Sequence, residues 1–198
     1  WKLFAELGWL AIPFAEEHGG LDGNDVDLSL MFEEFGKAIV VEPYLANVVL
    51  GGGILKRSDL EDRSKYIEGI ISGESQISLA NYEPTKGFNL GNVDCEISSD
   101  GNVNGLKTTV LNAQNANYFV VFGKQGNSYA FALVSKDAEG LDCTSYKTYD
   151  GFVSGDVKFN NCKAEAVFST SNALEILEET ILDGLICVSS EAVGAMEK

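Results

Sequence analysis

Apolar residues recur at steps of three and four over the first third of the chain, alternate with polar ones over the middle, and return to steps of three and four at the end. That order predicts helices, then strands, then a helix. Residues 1–7 read as a helix tail closed by Gly8, and the glycines and Pro13 within residues 10–23 read as a loop. Asn24 or Asp25 can cap the next helix, with Asp27 placing charge at the positive end of its dipole. Leu28, Met31, Phe32, Phe35 and Ile39 form its apolar face; Glu33 and Lys37 are an i,i+4 pair on another face. Residues 42–56 read as a third helix containing Gly51-Gly52-Gly53, a run that marks close packing, a kink or a break. Ser58 and Glu61 spell a capping box for a fourth helix, which buries Tyr66, Ile67, Ile70 and Ile71 and ends at Gly73.

From Ser75 the period becomes two. Ile77 and Leu79 alternate with Ser78 and Ala80, and Val93, Cys95 and Ile97 alternate before a Ser99-Asp100-Gly101 turn. Residues 118–122 and 129–134 are buried-strand runs joined by a turn at 125–128, and residues 153–159 alternate again before Asn160-Asn161. Short strands punctuated by turns predict a β-barrel or sandwich. From Asn172 the helical period returns, with Glu175 as an N3 partner for an Asn172 cap. Leu174, Leu177, Ile181, Leu185, Val188, Ala192 and Ala195 form the seam of a bundle helix. The expected fold class is therefore a multi-domain α+β chain. A helical domain spans 1–74, a middle β domain 75–165, and the start of a C-terminal helical domain 166–198. Trp1 in place of Met, and Lys198 inside a helical pattern, predict a fragment truncated at both ends.

Charge narrows the partners. The formal net charge is −16, which repels phosphate backbones and anionic lipid, so neither nucleic-acid binding nor membrane insertion is expected. No apolar run reaches the length of a membrane span and no signal-peptide pattern is legible. The cysteines at 95, 143, 162 and 187 match neither a zinc site nor a dense disulfide framework, and read as reduced thiols in a cytoplasmic protein. His18 is the sole histidine, so no metal site is expected and no histidine-based triad can be built from this chain.

Two segments sit beside β-prone runs. Residues 81–89 carry Pro84 and Gly87, and residues 104–112 open on Asn104-Gly105, a tight-turn signal. Two turns flanking one sheet can grip a flat ligand, although on local sequence alone they read as ordinary hairpin connections. Glu83, before Pro84, is expected to be extended and to hold its loop, and Lys107 to be structural or superficial.

Several motifs occur in a shared order. Ile12-Pro13-Phe14-Ala15-Glu16-Glu17-His18-Gly19-Gly20-Leu21 resembles the Ile-Pro-x-Pro-Glu-Glu-x-Gly-Gly-Leu loop of the acyl-CoA dehydrogenase family. Phe32-Glu33-Glu34-Phe35-Gly36-Lys37-Ala38 resembles its Glu-Glu-Leu-Gly-Arg-Ala helix, and Ile70 to Glu74 its Ile-x-x-Gly-Glu ending. Asn104-Gly105-Leu106-Lys107, Asn112 and Ala116-Asn117-Tyr118 resemble its Asn-Gly-x-Lys segment and following strand. The resemblance implies FAD as cofactor and oxidation of the Cα–Cβ bond of an acyl-CoA substrate. It also implies an electron-transfer flavoprotein or similar acceptor, and a homo- or hetero-oligomer. No catalytic residue is assigned, because the family's catalytic glutamate is expected beyond Lys198.

The resemblance places Asn81, Tyr82, Gly87, Phe88, Thr109 and Leu111 at the flavin, and there the sequence departs from the family. Thr-Glu-Pro-x-x-Gly-Ser-Asp becomes Tyr82-Glu83-Pro84-Thr85-Lys86-Gly87-Phe88-Asn89, and Trp-Ile-Thr-Asn becomes Thr109-Val110-Leu111-Asn112. A threonine and a serine hydroxyl, the tryptophan that covers one flavin face and the threonine that faces N5 are all replaced. Each lost side-chain hydrogen bond costs about 1 kcal/mol. Lys86 can restore some attraction for phosphate. Three readings stay open: a flavin-bound dehydrogenase; a flavin-deficient subunit of a heteromeric, steroid side-chain type of dehydrogenase; and a non-enzymatic scaffold paralogue.

Overall fold

The computed structural model describes residues 1–197. α1 (Lys2–Glu6) stops at Gly8, and two 3-10 turns, Trp9–Ala11 and Glu16–His18, occupy the glycine-rich loop. α2 (Asp25–Ala38) opens on a complete capping box. Asn24 Oδ1 accepts from the Val26 and Asp27 amides, and Asp27 Oδ2 accepts from the Asn24 amide. Leu28, Phe32 and Phe35 are buried as the helical period requires. Ile39 corrects the expected face. It lies past the helix end in a left-handed conformation (φ 52°) and is exposed, because the chain turns there to bond Val40 N to Phe35 O.

A π-helical segment (Leu45–Gly51) runs into α3 (Gly52–Arg57), so the glycine run neither breaks nor ends the helical path. The wider turn buries Asn47 against the sheet, where its Oδ1 accepts from Ile77 N at 2.7 Å. A Cβ on Gly51 would stand 2.2 Å from the Ile77 carbonyl oxygen, so glycine is needed for that contact. The capping box expected from Ser58 and Glu61 does not form. Ser58 Oγ donates to Leu55 O and finishes α3, while α4 (Arg63–Ile71) starts after Asp62 without a side-chain cap. Ile71 is half-buried rather than buried.

The β region is one eight-stranded sheet. Its strands are β1 (Ile77–Ala80), β2 (Glu96–Ile97), β3 (Asn102–Leu111), β4 (Tyr118–Gln125), β5 (Ser128–Ser135), β6 (Leu141–Lys147), β7 (Val153–Lys163) and β8 (Ala166–Phe168). The order is β6-β7-β3-β2-β4-β5-β8, with β1 parallel to β4. β6 and β8 had no clear sequence signal. The Asn104-Gly105 hairpin expectation is corrected: both residues lie inside β3, where the β3–β7 register shifts and Gly105 adopts φ 156°. The physical reason is space, since a Cβ on Gly105 would meet Cys95 at 2.8 Å.

Two cores result. One joins the helices to one sheet face, through Phe14, Ile54, Ile67, Val120, Phe131 and Leu177. The other is built, among the described residues, without helical side chains. The sheet folds over itself so that Phe119 of β4 meets Phe159 of β7, with ring centroids 6.2 Å apart.

α5 (Ala173–Met196) crosses α2 at a pair of glycines. A Cβ on Gly194 would sit 1.9 Å from Glu33 O, and one on Gly36 would sit 2.0 Å from Glu191 O. The buried face of α5 runs through Ile176, Leu177, Thr180, Asp183, Gly184, Cys187 and Gly194. The expected seam is therefore corrected: Leu185, Val188, Ala192 and Ala195 are exposed. α5 is apolar on two sides, and only the helices it meets decide which side is covered. Asp183 is buried because Arg57 Nη2 bonds it at 2.7 Å. Asn172 precedes α5 but makes no side-chain cap bond, so that expectation is also corrected.

Candidate functional site

Lys107 and Glu83 set the frame of the site. β3 points Lys107 inward, where it is fully buried, and its Nζ lies 2.7 Å from Glu83 Oε1 and 3.3 Å from Asn81 O. Glu83 also accepts from the amides of Asp94 (2.6 Å) and Cys95 (2.9 Å). Burial alone would push the Glu83 carboxyl upward. Lys107 and the two amides outweigh it and hold the group below the usual carboxylate range. Thr108 N donates to Tyr82 O at 2.9 Å. The two segments singled out in the sequence are therefore fastened side by side, by a buried ion pair and a backbone bond.

Of the six expected flavin positions, two border the cavity described below and four do not. Asn81 is buried, with its Nδ2 lacking a partner, and Tyr82 is half-buried beside β3. Gly87 turns the following loop with φ 64°, and Phe88 is 93% exposed. Lys86 is bound to Asp94 at 2.7 Å, which occupies the charge expected to attract phosphate. Thr109 sits at a β3 irregularity with φ 53°, exposed, its N–H donated to Asp156 Oδ1 at 3.2 Å. Leu111 ends β3, half-buried.

Thr109 and Leu111 border a cavity of about 510 Å³ between α2, the segment entering the π-helix, the end of β3, the β6–β7 turn and α5. Asn81, Tyr82, Gly87 and Phe88 do not line it. Its walls are largely apolar, with Phe35, Val41, Tyr44, Leu45, Phe152 and Val188 among them. The Tyr44 hydroxyl is spent on Trp9 O at 2.8 Å, and burial pushes its pKa upward.

The sequence reading missed Glu42, Asp150, Ser154 and Glu191, which also line the cavity. Asp150 builds the β6–β7 turn. It accepts from Thr148 Oγ1 at 2.5 Å and Phe152 N at 3.2 Å, and these bonds hold its carboxyl below the ordinary range. Glu191 is half-buried, and burial, with Asp150 adding to it, raises its carboxyl. An Asp-Gly turn at 150–151 was the one available signal. Nothing periodic marks Glu191, because it reaches the cavity from the flank of α5.

The side chains present do not fit a tightly held flavin. Leu111 has no hydroxyl, Phe88 points to solvent, the Thr109 amide is already bonded, and no aromatic ring stands at position 109. What remains is backbone and the unpartnered Asn81 Nδ2.

Comparison with known proteins adds the following. Residues 1–74 match the family model described as "Acyl-CoA dehydrogenase, N-terminal domain". A probable acyl-CoA dehydrogenase, YngJ of Bacillus subtilis, is 31% identical over 156 residues, covering 73% of this chain and 41% of that protein. The crystal structure of an acyl-CoA dehydrogenase complexed with FAD from Bacillus anthracis superposes with a TM-score of 0.87. It has 22% identity, over 98% of this chain and 35% of that one. The ChsE4-ChsE5 complex of Mycobacterium tuberculosis superposes with a TM-score of 0.83 at 20% identity, over 100% of this chain and 54% of the other. The chain thus spans less than two thirds of the length of the relatives it matches.

Proposed function

We propose that this chain, which belongs to the acyl-CoA dehydrogenase family, forms the acyl-binding wall of an enzyme that oxidises the Cα–Cβ bond of an acyl-CoA thioester. The observation that carries the reading is the largely apolar 510 Å³ cavity at the end of β3. A largely apolar wall suits an alkyl chain. FAD, when bound, would supply the hydride acceptor. This chain's part is to shape and desolvate the acyl site. The Lys107–Glu83 pair contributes by fixing β3 against residues 81–83. The base that removes the α proton we assign to sequence outside residues 1–198. We place the reaction in the cytoplasm, with an electron-transfer flavoprotein-type acceptor. We also propose domain limits at 74 and 165, although the helices and one sheet face share a core. Among the described residues no helix is long and apolar enough to cross a membrane.

The poor match of Phe88, Thr109 and Leu111 to a flavin favours one refinement. The chain acts as the flavin-poor partner in a heteromer; a ChsE4-ChsE5 complex is among the solved structures with this fold. The test is flavin absorbance per protomer for the full-length parent protein, purified alone and with a complete homologue. The refinement expects substoichiometric FAD alone and recovery of flavin and turnover in the pair. Full occupancy alone would overturn the heteromer. Residues 1–198 by themselves are expected to give no turnover of any acyl-CoA with an artificial acceptor, and measurable turnover would overturn the assignment of the base.

A further inference from the structure

A polar cleft of about 420 Å³ lies apart from the acyl cavity and shares no lining residue with it. The glycine-rich loop meets the first turn of α4 there, and His18 and Ser64 both line the wall. Ser64 Oγ is 3.0 Å from His18 Nδ1, and His18 Nε2 is 3.3 Å from Glu17 Oε1. The imidazole is only 9% exposed, so packing fixes its orientation, while Ser64 is half-buried. A carboxylate beside Nε2 favours the proton on that nitrogen. In the neutral ring Nδ1 is then the acceptor, and the group that meets it is the Ser64 hydroxyl. A third feature is independent of these side chains. Ser64 is the second residue of α4, a nine-residue helix, and its amide has no acceptor among the described residues. An unspent N–H at the positive end of a helix stabilises negative charge on a neighbouring oxygen.

We infer that Ser64, His18 and Glu17 act as nucleophile, base and orienting group toward a short, uncharged, activated ester. The expectation that a sole histidine excludes a triad is corrected here, because a triad needs only one imidazole. Ser64 Oγ attacks the carbonyl carbon and its proton passes to His18 Nδ1. The Oγ–C bond forms, the bond from carbon to the leaving oxygen breaks, and the alcohol or phenol departs with the proton from Nδ1. Water then adds to the acyl carbon and gives a proton to Nδ1. The Oγ–C bond breaks, Oγ takes that proton, and a carboxylic acid leaves. Glu17 keeps the Nε2 proton through both steps. The cleft selects the acyl group by its charge and polarity. Glu17, Asp59 and Glu61 line it against one cation, Arg63, so an anionic acyl end meets like charge. Its polar wall gives a long alkyl chain no cover.

The experiment is stopped-flow mixing of the full-length parent protein with p-nitrophenyl acetate. A burst of about one p-nitrophenolate per protomer is expected, with one acetyl group mapped to Ser64 by mass spectrometry of chymotryptic peptides. Ser64→Ala should abolish the burst. His18→Gln keeps an acceptor for the Ser64 hydroxyl but no base, and should slow the burst about 100-fold. Glu17→Gln should slow it about tenfold, the carboxylate being 69% exposed and its charge screened. Ser72→Ala, at the other end of α4 and exposed, should leave it unchanged. Acetyl groups found only on other residues, no burst, or a burst that His18→Gln leaves at its full rate would overturn the inference. The mapping on the unsubstituted protein decides this by itself where a variant fails to fold.

Discussion

Replacing Lys107 with methionine removes the cation and keeps the apolar stem. In the folded protein Lys107 Nζ is 2.7 Å from Glu83 Oε1, with side-chain exposures of 0% and 4%. The substitution leaves Glu83 buried with two amide donors, from Asp94 and Cys95, and frees Asn81 O of one donor. Breaking a buried pair from one side costs about 3–5 kcal/mol, because an uncompensated charge remains. With a urea m-value of about 2 kcal/mol/M, the unfolding midpoint should fall by roughly 1.5–2.5 M. Adding Glu83→Gln to Lys107→Met should recover part of that loss, since the stranded charge is then gone. The pH dependence has a definite sign. In the wild type the Glu83 pKa is depressed, so its contribution is present above the unfolded value near 4.5 and fades as pH falls through the folded value. In Lys107→Met the lowering effect of the cation is gone, so that pKa lies above its wild-type value and the gap to wild type narrows at pH 4. A midpoint change equivalent to less than about 1 kcal/mol at pH 7, or a gap that widens at pH 4, would refute the argument.

Gly194→Ala drives a Cβ into Glu33 O at the α2–α5 crossing and should cost about 1–3 kcal/mol as the helices separate; urea melts showing wild-type stability would contradict that packing. Asn24→Ala removes the side-chain acceptor of the α2 capping box and should cost about 1 kcal/mol, with Asn24→Ser close to neutral, read by thermal melts. Leu111→Thr in the full-length parent restores a hydroxyl at the cavity wall and should raise flavin per protomer, measured by absorbance; unchanged occupancy would remove position 111 from the flavin site.

The sequence by itself determined the order of element types and the cap of α2. The three- and four-residue steps survive in α2 and α4, the continuous buried runs in β4 and β5 and the alternation in β7, because these patterns follow from backbone geometry. The Asn24–Asp27 box was legible for the same reason. The sequence also singled out the segments 81–89 and 104–112, and a 2.9 Å bond from Thr108 N to Tyr82 O joins them. Tertiary structure decided what local signals could not. Asn104-Gly105 spells a hairpin, yet the chain passes straight on because β7 offers a longer ladder and Cys95 leaves no room for a side chain. α5 is apolar on two sides, and contact with α2 at Gly36 and Gly194 selected the side holding Cys187 rather than the one holding Leu185. The cavity itself draws on α2, β3, the β6–β7 turn and α5, so Ser154 and Glu191 come to line one cavity only once distant elements have folded together. Such a pair leaves no mark in either neighbourhood, because burial and charge at one point in space are sums over segments that the sequence keeps apart.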